Sequence, residues 1–317
     1  MNKRKHKTKL IIKSLLLVIY FSIVSFLLAS GFAVRTIINQ HQYVADAYAK
    51  RVTVNDVEYF YREAGETNLD TIVMIHGFLG SSYDFIDTIE NLKTDYRVIA
   101  VDLIGFGLSE KSSTFDYSKK NQADYLVDFL DVLDITSATI IAHSMGGEVS
   151  IHLAHDYPTY VERMILIGSA GYYEETTSNF NLRLPLFFYD HVFNNYYIQR
   201  VFFYSAYSKH EVDLKLVTYN DFDEMFFVNR TIPGNVLRKM TTDNDAGATN
   251  AKLENVEQDT LLIWGEFDGF IPLSTGQLLQ EALGDNAQLI IIPNAGHLPF
   301  DTYFDDFIAY VRTFLAN

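Results

Sequence analysis

The 317-residue chain predicts an α/β protein: a doubly wound, mostly parallel sheet with an inserted helical cap, preceded by one N-terminal transmembrane helix. Three observations predict this. Short apolar runs at 71–75, 97–101, 138–142, 163–168, 260–264 and 288–292 alternate with stretches of helical spacing. Runs of that kind suit strands covered on both faces, and strand–helix alternation implies parallel pairing. The alternation stops between 171 and 254, where no buried strand is evident. Within that gap, residues 172–227 carry 17 of the chain's 46 aromatic residues, and helical spacings dominate. Finally, residues 14–34 are almost wholly apolar, with no charge until Arg35.

The N-terminal run is about the length that spans a bilayer as a helix. It is longer than the roughly 7–15 apolar residues of a cleavable signal peptide, although Ala29-Ser30-Gly31 leaves cleavage open. Residues 1–13 hold six Lys/Arg and no acid, so the positive-inside rule puts them in the cytoplasm and the rest outside the cell membrane. The domain reading is therefore a basic tail at 1–13, an anchor at 14–34 and a helical stalk at 35–50. The core follows at 51–170 and 255–317, and the cap fills 171–254.

Along the core, residues 52–61 alternate apolar and polar around Asn55-Asp56, which reads as a hairpin. Helical spacing is predicted at 83–92, 123–133, 148–157, 273–283 and 304–315. The loops between carry most of the polar side chains of interest.

Composition narrows the function. No cysteine is present, so disulfides, thiolate metal sites and a cysteine nucleophile are excluded. Net charge is −15. Without residues 1–13 the balance is 19 basic against 40 acidic residues, a net of −21. So acidic a body argues against nucleic acid or anionic headgroups as partners.

The chemistry starts at the end of the 138–142 run, which stops at His143-Ser144-Met145-Gly146-Gly147 and gives way to a helix. A serine at a sharp strand-to-helix turn sits in strained backbone with its hydroxyl lifted clear of the sheet. The turn needs small residues two before and two after the serine, here Ala142 and Gly146. The following helix points its N-terminus at the serine and favours negative charge there.

A serine hydroxyl needs a base to take its proton, and the base needs an acid to orient it. Ligands of an open parallel sheet bind outside the carboxyl ends of the strands. His297 lies just after the last strand and is read as the base. Asp268, in the loop after 260–264, is read as the acid, with Glu266 as its competitor. The backbone N–H groups of Met145 and of Phe78, in the His76-Gly77-Phe78 loop, are read as the oxyanion hole. His76 and Asp102 are expected to shape their loops, and His143 to be structural. His152 and His155 lack a carboxylate cluster at metal spacing, so neither a metal nor another cofactor is expected.

With these residues in order, the chain resembles the α/β-hydrolase fold family with a cap, over roughly residues 50–317. Asp102-x-x-Gly105-x-Gly107-x-Ser109, the turn at Ser144, Gly265-x-x-Asp268 and Gly296-His297 carry the likeness, and Ala142 departs from the usual glycine. The resemblance implies the chain order Ser144, Asp268, His297 for a triad. Dehalogenases and epoxide hydrolases of the family use an aspartate nucleophile, so Ser144 points to the other branches. The expectation is a serine hydrolase, of the esterase or lipase kind, cleaving a small apolar or lipid-like ester through an acyl-enzyme. The aromatic cap supplies the apolar pocket. Two rivals stay open: a carbon–carbon bond hydrolase of the same fold, and a non-catalytic binding protein that retains it.

Overall fold

A computed structural model describes residues 13–31, 47–67, 70–173, 184–217, 219–243, 245 and 247–317. The readings of residues 1–12 as a basic tail, and of 32–46 as the end of the apolar run and most of a stalk, fall outside these. The first helix, α1 (Lys13–Gly31), is long and apolar enough to cross a membrane, and nearly all of it is exposed.

The hairpin opens the core. Strands β1 (Ala49–Val54) and β2 (Val57–Ala64) pair antiparallel with Val54 opposite Val57. The two turn residues, Asn55 and Asp56, have φ of 49° and 65°. That is the turn type whose twist matches the strands, and Asn and Asp tolerate it. β1 begins two residues inside the stretch read as stalk.

Then follow β3 (Thr71–Ile75), a tight turn at Ser82–Phe85, α2 (Ile86–Leu92), β4 (Arg97–Val101), α3 (Lys119–Val132), β5 (Ala138–His143), α4 (Met145–Asp156) and β6 (Val161–Ile167). The insertion between β6 and β7 contributes α5 (Leu186–Phe188), which widens over Tyr189–Phe193, then α6 (Tyr196–Tyr204), α7 (Lys209–Asp213), α8 (Tyr219–Asn229) and α9 (Gly234–Thr242). β7 (Thr260–Gly265), α10 (Leu273–Leu283), β8 (Ala287–Ile292), α11 (Pro299–Thr302) and α12 (Phe304–Leu315) complete the chain. Helix α3 starts four residues earlier than its apolar spacing predicts. Its first turn is polar, and Ser118 caps it by accepting from the Asn121 N–H.

The eight strands lie in the order β1-β2-β4-β3-β5-β6-β7-β8. Only β2 is reversed, pairing antiparallel with both β1 and β4, and the pairings from β4 through β8 are parallel. The predicted doubly wound sheet is therefore present. Its alternating side chains feed two cores. Val73, Ile75, Ile140, Ala142, Leu166 and Trp264 pack with residues of α3, α4 and α10 on one face. Met74, Ile141, Ile165, Ile167 and Ile263 pack with residues of α2 and α12 on the other. An apolar run without polar interruption is what this two-sided burial demands.

The insertion has its own small core of Tyr196, Phe203, Tyr207, Phe222 and Phe226. Its two ends are clasped at the sheet: the Asn250 amide accepts from the Tyr173 N–H (3.0 Å) and donates to the Tyr173 carbonyl (2.7 Å).

The start of α4 is wedged against β3. A methyl group on Gly146 would lie 2.5 Å from the Ile75 carbonyl oxygen and 2.7 Å from that of His76. Glycine-to-alanine in a helix ordinarily stabilises by about 1 kcal/mol. Here Gly146→Ala is expected to destabilise instead, by about 1–3 kcal/mol, because rigid backbone must move. Urea unfolding of the variant against wild type checks the sign.

Candidate active site

Ser144 leaves β5 with φ 52° and ψ −119° and forms the cap residue of α4. A side-chain-bearing residue held there costs of order 1–3 kcal/mol and persists only where its surroundings enforce it. Three backbone bonds do so. Its N–H donates to the Ile167 carbonyl (2.9 Å), and its carbonyl accepts from the Gly147 and Ala170 N–H groups, each at 3.0 Å. The hydroxyl thus stands at the positive end of a twelve-residue helix.

Asp268 and His297 pair with each other in the loops after β7 and β8. The two are 2.7 Å apart, Nδ1 to Oδ2, and both are buried. A carboxylate only accepts, so Nδ1 carries the proton and Nε2 is left as the basic nitrogen. The other Asp268 oxygen accepts from the Phe270 and Ile271 N–H groups at 2.9 Å each, which fixes the carboxylate. Gly168, next to the Ile167 that holds Ser144, makes room for the pair. A methyl group there would lie 3.0 Å from both Asp268 Oδ2 and His297 Nδ1. Glu266 is exposed and turns away, accepting from the Asn294 N–H (3.0 Å). The structure therefore brings Asp268, not Glu266, to His297.

The His76-Gly77-Phe78 loop lies beside the serine. A methyl group on Gly77 would sit 3.1 Å from Ser144 Cβ. Phe78 and Met145 are both half-buried on the same side of the sheet core. His76 ties this loop to the next: Nδ1 donates to the Gly77 carbonyl (2.7 Å) and Nε2 accepts from the Leu103 N–H (3.1 Å). Burial lowers its pKa and keeps it in that neutral form. Asp102 anchors its own loop by accepting from Ser82 N–H and Leu108 N–H, both at 2.6 Å. His143 donates from Nε2 to the His297 carbonyl (3.1 Å). Burial, then the neighbouring His297, hold its pKa well below the ordinary histidine value, so it buttresses the loop as a neutral ring. His152 sits buried between Asp156 and Asp245, and His155 bonds Asp156.

A family model for the α/β-hydrolase fold matches residues 70–303. The chain belongs to the α/β-hydrolase fold family. It is similar to the uncharacterized hydrolase YugF of Bacillus subtilis, at 30% identity over 78% of this chain and 91% of that protein. It is also 30% identical to a 2-hydroxymuconate semialdehyde hydrolase of a Pseudomonas species, over 70% of this chain and 77% of the other. Among solved structures, a bacterial membrane phospholipase A superposes with a TM-score of 0.70 at 21% identity, covering 100% of this chain and 98% of its own.

The cap of this hydrolase reaches into the site in a way the sequence reading missed. The His297 N–H donates to the Ala206 carbonyl at 2.6 Å. Glu211, buried in α7, accepts from the Gly296 N–H (2.9 Å), from the Ser208 N–H (2.5 Å) and from the Thr302 hydroxyl. Ser208 in turn donates to the Asn294 carbonyl (2.6 Å). The whole turn before His297 therefore hangs on cap residues 206–211. On the other side, the buried Asn229 of α8 donates to the Leu79 carbonyl (2.6 Å), holding the loop that contains Phe78. One signal was available: Ser208-x-x-Glu211 is a capping-box pattern, and the box is present.

Removing Glu211 strands buried donors at about 1–3 kcal/mol each. Glu211→Ala is expected to slow labelling of the hydrolase by a fluorophosphonate probe about tenfold or more. Glu211→Gln, which keeps an oxygen for Gly296, should lose less. Circular dichroism of both variants should match wild type. Equal labelling rates for wild type and alanine would deny Glu211 any hold on His297 that matters to the serine.

Proposed function

We propose that the chain is a membrane-anchored serine hydrolase that cleaves carboxylic esters with an apolar, lipid-like portion. The observation that carries the reading is the strained Ser144 at a helix N-terminus, set around Gly168 with a buried Asp268–His297 pair 2.7 Å apart. In this reading Ser144 Oγ attacks the ester carbonyl while His297 Nε2 takes its proton. Asp268 holds the Nδ1 proton and offsets the imidazolium charge. The Phe78 and Met145 N–H groups receive the oxyanion. His297 then gives its proton to the departing alkoxide, leaving an acyl-Ser144. Water, deprotonated by the same nitrogen, attacks the acyl group, and Ser144 is regenerated as the acid departs.

The substrate class is inferred from the cap and from the helix. Aromatic side chains stand over the base: Phe270 meets the His297 ring edge-on at 5.3 Å and stacks on Phe202 at 4.8 Å. An apolar group on the ester has matching surface to bury there. Helix α1 spans about 28 Å at 1.5 Å per residue, enough for the hydrocarbon core. With the basic residues before it, the N-terminus belongs in the cytoplasm and the hydrolase domain outside. The membrane phospholipase A with the same fold over the full chain is in keeping with this.

A second reading rests on the 30% identity to the 2-hydroxymuconate semialdehyde hydrolase: cleavage of a carbon–carbon bond beside a ketone by the same serine. Turnover of p-nitrophenyl esters of increasing chain length, set against a vinylogous diketone, separates the two. Ester turnover that rises with chain length supports the proposal, and turnover of the diketone alone overturns it.

Two substitutions test the roles. Ser144→Ala is expected to abolish ester turnover with unchanged circular dichroism, since losing one triad member costs nearly as much as losing all. Activity within tenfold of wild type would remove Ser144 as nucleophile. Asp268→Asn is expected to lower kcat by about three to four orders of magnitude, because an amide favours the wrong tautomer of His297. Glu266→Gln should change kcat by less than about threefold, as a surface substitution away from the pair. The opposite ranking would move the acid's role to Glu266.

A further inference from the structure

The outer surface of the cap is apolar where a soluble surface would be polar. Leu186, Phe187, Phe188 and Phe193 lie exposed on α5 and the turn after it, and Val201 and Phe202 on α6. Phe187 is 57% exposed and Val201 73%. Large apolar side chains exposed on consecutive elements point to a partner.

The C-terminal end of α1 identifies that partner. Ser30 is buried there and accepts from the Tyr196 N–H at 3.1 Å. Phe26, one turn earlier, packs on Tyr197 with ring centroids 5.7 Å apart. A helix that spans the bilayer ends at its interface, so the first turn of α6 stands at interface depth. The exposed Leu186, Phe187, Phe188 and Phe193 precede that turn, and Val201 and Phe202 follow it on the same helix.

Charge agrees. The chain beyond residue 13 carries a net −21, yet residues 184–217 balance Asp190, Glu211 and Asp213 against Arg200, Lys209 and Lys215. This stretch of an otherwise acidic body is one that an anionic membrane surface does not repel. Faces built of Phe and Leu bury into the headgroup–acyl boundary.

We propose that the face formed by Leu186, Phe187, Phe188, Phe193, Val201 and Phe202 docks into the outer surface of the same bilayer that α1 crosses. Phe202 then has a second role. It stacks on Phe270, which touches His297, so a continuous aromatic track joins the lipid phase to the base. An acyl chain travels along it without passing through water. The proposal rests on the reading of α1 as a membrane span and of the site as acting on lipid-like esters.

The test uses the full-length hydrolase in phosphatidylcholine vesicles brominated on their acyl chains. The chain's single tryptophan, Trp264, is fully buried and gives a constant background. Phe187→Trp and Val201→Trp place reporters on the face, and Tyr310→Trp, on the exposed side of α12, is the control. Bromolipid is expected to reduce the added emission of the two cap reporters at least twofold and to leave that of Tyr310→Trp unchanged. Carbonate washing of the same vesicles reports on the anchor separately. If the protein resists carbonate and the cap reporters are quenched no more than the control, the docking face is wrong while the anchor stands. If carbonate strips the protein off, the spanning reading fails and the docking face with it. Cap reporters that are shielded only when the protein self-associates in detergent, and not quenched by bromolipid, would assign the face to a second copy of the chain and overturn the proposal.

Discussion

The site depends on how closely backbone can approach backbone at the carboxyl ends of β3, β5 and β6. Ser144 occupies a region of φ and ψ that costs free energy, and only the strands around it hold it there. Three positions without side chains make the approach possible. Gly77 lies against Ser144, Gly146 against the carbonyls of Ile75 and His76, and Gly168 against the Asp268–His297 pair. Side chains at these points would push the strand ends apart, and the serine would relax into ordinary helix geometry. Close-packed apolar residues on both sheet faces keep the ends from separating, so the two cores serve the turn as much as they serve stability.

The cap belongs to this arrangement rather than lying over it. The turn that carries His297 is hydrogen-bonded to core and cap alike: it accepts from His143 and donates to Asp268 on the core side, and donates to Ala206 and Glu211 on the cap side. The Phe78 loop is likewise shared, through His76 on the core side and Asn229 on the cap side. Neutral His76 and His143 suit this work. A charged imidazolium at either position would be buried, and at His143 it would face His297 as well.

The strands were legible because a parallel strand buried on both faces must be an apolar run, and few other segments in this chain are. Ser144 was legible because a strained turn leaves a mark in small neighbours, and Ala142 fits it, fully buried in β5 with no more than a methyl group to accommodate. The choice between Asp268 and Glu266 could only be weighed, since both lie in one loop and differ in which way the backbone turns. Glu211 and Asn229 were not found. The bonds that matter here, Glu211 to the Gly296 N–H and Asn229 to the Leu79 carbonyl, reach main-chain groups 85 and 150 residues away, and main-chain groups leave no pattern in side-chain identity. The start of β1 at Ala49 escaped for a related reason: its outer pairing needs only backbone, and its first residues carry no alternation.

The bonds from residues 206–211 to the histidine turn have a consequence for how such an enzyme changes its preferences. A cap hinged as a free door could be exchanged between relatives as a unit. This one cannot, because lifting it pulls on Gly296 and His297 directly. A graft would have to keep residues 206–211 and Asn229 with the recipient core and replace only the outer surfaces of α5 and α6. Variation in the cap therefore falls into two kinds. Changes on the outer helices alter the surface the insertion presents, and changes at the inner contacts alter how the turn of His297 is held.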